Sequence, residues 1–154
     1  MNHRHEATVE WRAGQGDALS ARRFSRAHRW HFDGGLTVPA SSSPSVVPVP
    51  MSDPAAVDPE EALVAALASC HMMSFLHLAS RKSLDVASYV DKAEGELGRC
   101  ENGKTAMLSV VLHPRIEFVG EADPALVDEL HHEAHELCYL ANSVNFPVTV
   151  EPLQ

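Results

Sequence analysis

The chain has 154 residues, 45% of them apolar and 21% charged, an ordinary balance for a folded protein that excludes collagen-like and disordered classes. A formal charge of -9 argues against nucleic acid as a partner, because phosphate binding needs clustered Lys and Arg to displace counterions. The length predicts one domain over 1–154, with a core too small to cover a long apolar helix on every side unless a second subunit contributes.

Residues 1–11, MNHRHEATVEW, have no apolar stretch of the kind a secretory signal requires, so a cytoplasmic location is expected. Residues 5–12, HEATVEWR, alternate as a strand does, GQGD supplies turn chemistry, and RFSRAHRWHF alternates again up to Asp33-Gly34-Gly35. The pattern predicts a hairpin. In its second strand the two-residue period puts Arg26, His28, Trp30 and Phe32 on one face and Arg29, His31 and Asp33 on the other. Residues 36–58 contain Pro39, Pro44, Pro48, Pro50 and Pro54 with a run of serines, which predicts an extended loop of the sort that covers or shapes a site.

A long helix follows, with Asp58 as N-cap, Pro59 at its first position and Glu60 and Glu61 in the first turn, where the macrodipole favours carboxylates. From Ala62 to Ala79 apolar residues fall on all sides, so the helix is expected to be buried, partly against a second chain. Ser69, His71, Ser74 and His77 interrupt the run and argue against a membrane span. Residues 86–98 and 105–118 read as two long strands joined at Asn102-Gly103. Asp123 and Pro124 signal a second helix through ALVDELHHEAHELCYLAN, and NFPVTVEP reads as a short final strand. This order predicts an α+β fold with antiparallel sheets packed on helices.

Cys70 and Cys138 lie on different predicted helices, whereas Cys100 sits beside an exposed turn. Three cysteines in a reducing compartment disfavour a structural disulfide framework and favour redox use of the helical pair, although an isolated cysteine in an alanine-rich helix is otherwise a packing residue. A thiol attacks as thiolate, so a buried one needs a nearby cation. Arg26 is the choice for that cation, and Glu60 for a carboxylate that holds the guanidinium. On one continuous helix Glu60 and Cys70 stand about 15 Å apart, so a break near Ala66 or a partner chain is needed to unite them. His131, His135 and Cys138 fall on one side of the second helix, a spacing that suits half a metal site. His71 and His77 read most simply as neutral core histidines.

Taken together, VDPEEALVAALASC, FSRAHRWHFDGG and HHEAHELCYLANSV resemble the OsmC/Ohr family, the osmotically inducible and organic hydroperoxide resistance proteins, over about residues 5–150. The resemblance implies an intertwined homodimer with sheets wrapped around central helices and active sites between subunits. It also implies a cofactor-free thiol peroxidase for small organic hydroperoxides and hydrogen peroxide, reset by an external dithiol, lipoyl-bearing or similar. By motif, Cys70 is the peroxidatic cysteine, Cys138 the resolving cysteine and Glu60 the carboxylate that positions an arginine. Arg26 is assigned as that arginine, with Arg22, Arg23 and Arg29 left open, and His28, His71 and Met73 are assigned to the substrate pocket. Cys70 is followed by His71 and Cys138 by Tyr139, where many members carry an aromatic residue and a proline, which suggests a separate branch. Two other classes remain: a metal-binding module using Cys70, His71, His131, His135 and Cys138, and a dimeric stress protein with marginal catalysis.

Overall fold

The computed structural model describes residues 2–153, and the chain divides into two compact units, Met1–Ala62 and Leu63–Gln154. The first unit holds a three-stranded antiparallel sheet in the order β1 (Ala7–Glu10), β2 (His28–Phe32), β3 (Thr37–Ala40). Ala7 stands opposite Phe32 and Glu10 opposite Arg29, while His28 stands opposite Ala40 and His31 opposite Thr37.

The tight hairpin is therefore β2–β3 and not β1–β2. Gly35, at φ +86°, takes a left-handed turn conformation that glycine adopts without penalty, and its N–H donates to the Phe32 carbonyl at 3.0 Å. β3 corrects the expectation of an unbroken loop after residue 36. Proline is tolerated on a sheet edge, and Pro39 serves there as an acceptor, its carbonyl taking the Val57 N–H at 3.1 Å.

The long strand expected before Phe32 is also shorter than its alternation suggests. Asp17 gathers the chain ahead of it, accepting from Ser25 N–H at 2.8 Å and Gly14 N–H at 2.6 Å, and a 3-10 turn at Leu19–Ala21 ends on Arg22 in the left-handed region. β2 consequently starts at His28, and Arg26 precedes it with its N–H bonded to the Met51 carbonyl at 2.8 Å.

Helix α1 (Pro59–Arg81) opens with a capping box. The Asp58 carboxylate accepts from Glu61 N–H at 2.8 Å, and the Glu61 carboxylate accepts from Asp58 N–H at 3.3 Å. The helix runs unbroken through Ala66, so no kink brings Glu60 towards Cys70. By length and hydropathy α1 could cross a bilayer, but its row of Leu67, His71, Phe75 and Ala79 at four-residue spacing is buried in the second unit, as in the core helix of a folded domain.

The two long runs after α1 each break once. They give β4 (Val86–Asp91), β5 (Glu94–Arg99), β6 (Thr105–Leu112) and β7 (Pro114–Phe118), followed by α2 (Pro124–Leu137) and β8 (Val148–Val150). β4 pairs with β7, while β5, β6 and β8 form a second sheet in which β6–β8 is parallel. The Asp91 carboxylate ties the two breaks together by accepting from His113 N–H at 2.7 Å, immediately before Pro114. Gly95 lets β5 approach α1, since a Cβ there would stand 2.5 Å from a Val64 methyl.

Two apolar clusters fill the second unit. Leu67 packs with Val110, Leu112 and Val148, and Phe75 and Ala79 pack with Leu130 and Ala134. Asp123 caps α2 through Ala125 N–H at 3.1 Å, but the helix ends at Leu137 and not near Asn142 as expected. The Asn142 side chain turns back to donate to the Glu136 carbonyl at 2.9 Å, satisfying a group that a longer helix would have used.

Candidate active site

The end of α2 sets the geometry of the two cysteines. Cys138 is the C-cap, in extended conformation, rather than a residue of the helix body, and its side chain is only 1% exposed. The Cys70 thiol, from the middle of α1, is close enough to act on it electrostatically, and both thiols are free. Burial pushes the Cys138 thiol above its ordinary range. The Ala141 amide, donating to Sγ at 3.4 Å, draws it back in part, and neighbouring Cys70 pushes it further up. Its place at the carbonyl end of α2 disfavours a thiolate in the same direction.

Cys70 differs in being half-buried and in lining a groove of about 710 Å³. Ala66, Met73, Leu137 and Leu140 make its apolar wall, and Ser69, Ser74 and His77 its polar one. Cys138 does not line it. Of the pocket residues expected from sequence, Met73 belongs to this groove. His77, read as a core histidine, is exposed on its edge.

Arg26, Glu60 and His28 belong to the first unit. The Arg26 guanidinium stacks on the Phe24 ring with its carbon 3.7 Å from the centroid, and Nη1 donates to the Phe24 carbonyl at 2.6 Å and faces Met51 Sδ at 3.7 Å. Arg26 thus lies off the strand and does not share a β face with His28. Trp30 Nε1–H donates to His28 Nε2 at 2.9 Å, so Nε2 carries the lone pair, and Nδ1–H must be the donor to the Arg26 carbonyl at 2.7 Å. His28 is fixed in one ring orientation that holds the backbone carbonyl of Arg26. Glu60 is half-buried in the first turn of α1, beside the capping Glu61.

His71 does not line the groove. It is 1% exposed, and its Nε2 meets His131 Nδ1 at 3.1 Å. The rings are parallel within 4° with centroids 5.4 Å apart, the arrangement that a hydrogen bond in a shared ring plane requires, and Phe75 packs on His131 at 4.4 Å. Burial first, then the neighbouring His131 and His135, lower His71 to about 4; burial lowers His131 to about 4 against an opposing pull from Asp128. Among the described residues no group of three or more His, Cys, Asp and Glu converges to hold a metal ion. The sequence signal for the pairing was that each histidine interrupts a buried apolar row, but nothing in the sequence joins the two.

A family model described as OsmC-like protein matches residues 52–152. An OsmC-like protein of unknown function from Vibrio cholerae superposes with a TM-score of 0.95 at 47% identity, covering 99% of this chain and all of that one. An organic hydroperoxide resistance protein from Elizabethkingia anophelis, 18% identical, gives 0.72 over 99% of both chains. The organic hydroperoxide resistance protein OhrB of Bacillus subtilis, 20% identical, gives 0.66 over 96% of this chain and 98% of that one. No curated protein matches the sequence significantly.

Proposed function

The chain belongs to the OsmC-like family, and from that premise we propose that it is a two-cysteine thiol peroxidase for organic hydroperoxides and hydrogen peroxide. The observation that carries the proposal is the asymmetry of the cysteine pair. Cys70 opens onto a largely apolar groove, while Cys138 sits behind it, buried and held as a thiol. A peroxidatic sulfur must be reached by substrate, and a resolving sulfur must be shielded until it is needed.

In the first step the Cys70 thiolate attacks the distal oxygen of R–O–O–H. The O–O bond breaks, a proton completes the departing alcohol, and Cys70 becomes a sulfenic acid. Cys138 then gives up its S–H proton as its sulfur displaces hydroxide from the sulfenic acid, so water leaves and a Cys70–Cys138 disulfide forms. An external dithiol, lipoyl-bearing or similar, is oxidised to its own disulfide as it restores both thiols. Arg26 is the cation assigned to the thiolate and Glu60 the carboxylate that aligns it, by the motifs in which they stand. The apolar wall of Ala66, Met73, Leu137 and Leu140 suits the carbon skeleton of an organic hydroperoxide.

A homodimer is part of this proposal. Glu61, Ala65, Ser69, Met73 and His77 form an uncovered row along α1, only 28% of the helix's most apolar stretch is buried, and Met73 and Tyr139 are 65% and 81% exposed beside the groove. A second copy would cover that row and narrow the groove. The test is hydroperoxide consumption with a dithiol present. Cys70→Ser is expected to abolish turnover, and Cys138→Ser to consume one equivalent without forming an intramolecular disulfide. Wild-type rates in Cys70→Ser would sink the assignment.

A further inference from the structure

The imidazoles of His71 and His131 have no part in the chemistry above, yet they make a directional contact between the two elements that carry the cysteines. His71 follows Cys70 directly on α1, and His131 lies on α2, whose C-cap is Cys138. Around them the contact between the helices is apolar, made by Phe75 and Ala79 against Leu130 and Ala134. Such packing is non-directional, so it favours closeness without fixing one register. The 3.1 Å bond between nearly coplanar rings fixes one.

Stability does not explain the pair. One bond between two neutral imidazoles uses one N–H and one lone pair, leaving an N–H at one end and a lone pair at the other. His71 Nδ1 and His131 Nε2 are those ends, both buried without a protein partner. Buried polar atoms left unpaired are costly, and apolar residues of similar shape would be at least as stable. The best-attested use of a polar pair in an apolar helix contact is to select one register. A slip of one residue moves a helix by about 1.5 Å, comparable to an S–S bond of about 2.05 Å, so register decides whether two sulfurs can bond.

We propose that the His71–His131 hydrogen bond is a register key that keeps Cys70 and Cys138 aligned for condensation, making both histidines positioning residues for disulfide closure. The inference rests on the two-cysteine reading, but its core, an effect on the Cys70–Cys138 pair, can be measured without peroxide. Closure itself is Cys70–SOH plus Cys138–SH giving the disulfide and water, with neither histidine consumed.

The experiment compares full-length wild type with two double variants. His71→Leu with His131→Leu removes the bond. His71→Gln with His131→Asn restores it, because the Gln amide reaches as Nε2 does and the Asn amide as Nδ1 does. Equilibration in glutathione redox buffers gives the effective concentration of the cysteine pair, and a stoichiometric pulse of tert-butyl hydroperoxide gives attack and closure separately, with a sulfenic-acid trap reporting the interval.

The Leu pair is expected to lower the effective concentration about fivefold, the equilibrium weight of one net hydrogen bond, and to slow closure so that trapped sulfenic acid increases. Attack on Cys70 and the urea midpoint should hold, and the Gln/Asn pair should recover closure to within about twofold of wild type. If the Leu pair does not fold, His71→Met with His131→Met, whose unbranched side chains adapt to the space, carries the same expectation. Wild-type effective concentration in the Leu or Met variant overturns the proposal, and so does a loss of closure that merely follows a loss of stability. Wild type inert to hydroperoxide, with the Leu pair still weakened in glutathione buffer, overturns the peroxidase reading and leaves the register key standing.

Discussion

Residues 70 and 71 are neighbours on α1 and serve opposite surroundings. Cys70 opens onto a groove whose far wall, around Met73 and Tyr139, is uncovered, whereas His71 stands in a dry row with Leu67, Phe75 and Ala79. The dry side is closed by the second unit's own sheets and by α2, and the groove side stays uncovered within one chain, where the proposed substrate and second copy would sit. A helix apolar all round thus has two sides, one covered by folding and one left open.

The largest effect separating the two sides is expected on the dry one. Phe75→Ala removes a fully buried ring that touches Tyr89 and His131, and should cost about 3–5 kcal/mol, read as a fall in the urea midpoint. A cost under about 1 kcal/mol would mean that the row does not carry the core.

The next effect sharpens the contrast through pH. His71 and His131 are held near 4 by burial against an ordinary 6.5, with His131 and His135 adding to the lowering of His71 and Asp128 opposing that of His131. Between those values the unfolded chain takes up protons that the folded one refuses. Stability is therefore complete above about pH 6.5 and declines as pH falls through the window to about 4, by at most about 1.4 kcal/mol per pH unit for each imidazole. Mutual repulsion of two imidazolium ions keeps the folded pair from taking both protons readily. The pH slope of wild type minus that of the His71→Gln, His131→Asn variant isolates the pair, and a difference of zero would place neither histidine in a dry core.

The smallest effect belongs to the groove side. Met73→Ser should change protomer stability by no more than about 0.5 kcal/mol, since the side chain is 65% exposed, yet should raise the concentration at which dimers dissociate in sedimentation. Unchanged association would move the dimer contact away from this row.

Both helix starts were legible because Asp58-Pro59 and Asp123-Pro124 state cap and first turn within two residues. The alternating strands were legible as alternation, but not their breaks. Asp17 binding Ser25 and Gly14, and Asp91 binding His113, are side-chain to backbone bonds across intervals that periodicity does not register. Those bonds moved Arg26 off its strand and split the long pair. The proline-rich segment concealed β3 because an edge strand tolerates what a central one does not. Cys138 was found as a residue, but its position as a C-cap depends on Asn142 reaching back to Glu136. The pairing of His71 with His131 joins two helices by tertiary packing alone, and the sequence carried only two histidines in otherwise apolar rows.

The central claim is tested most directly by exposing the reduced protein to one equivalent of an organic hydroperoxide and mapping its oxidised cysteines by mass spectrometry without reductant. A Cys70–Cys138 disulfide, with Cys100 still a thiol, is the predicted result. Intact thiols at Cys70 and Cys138, or oxidation confined to Cys100, would contradict the account.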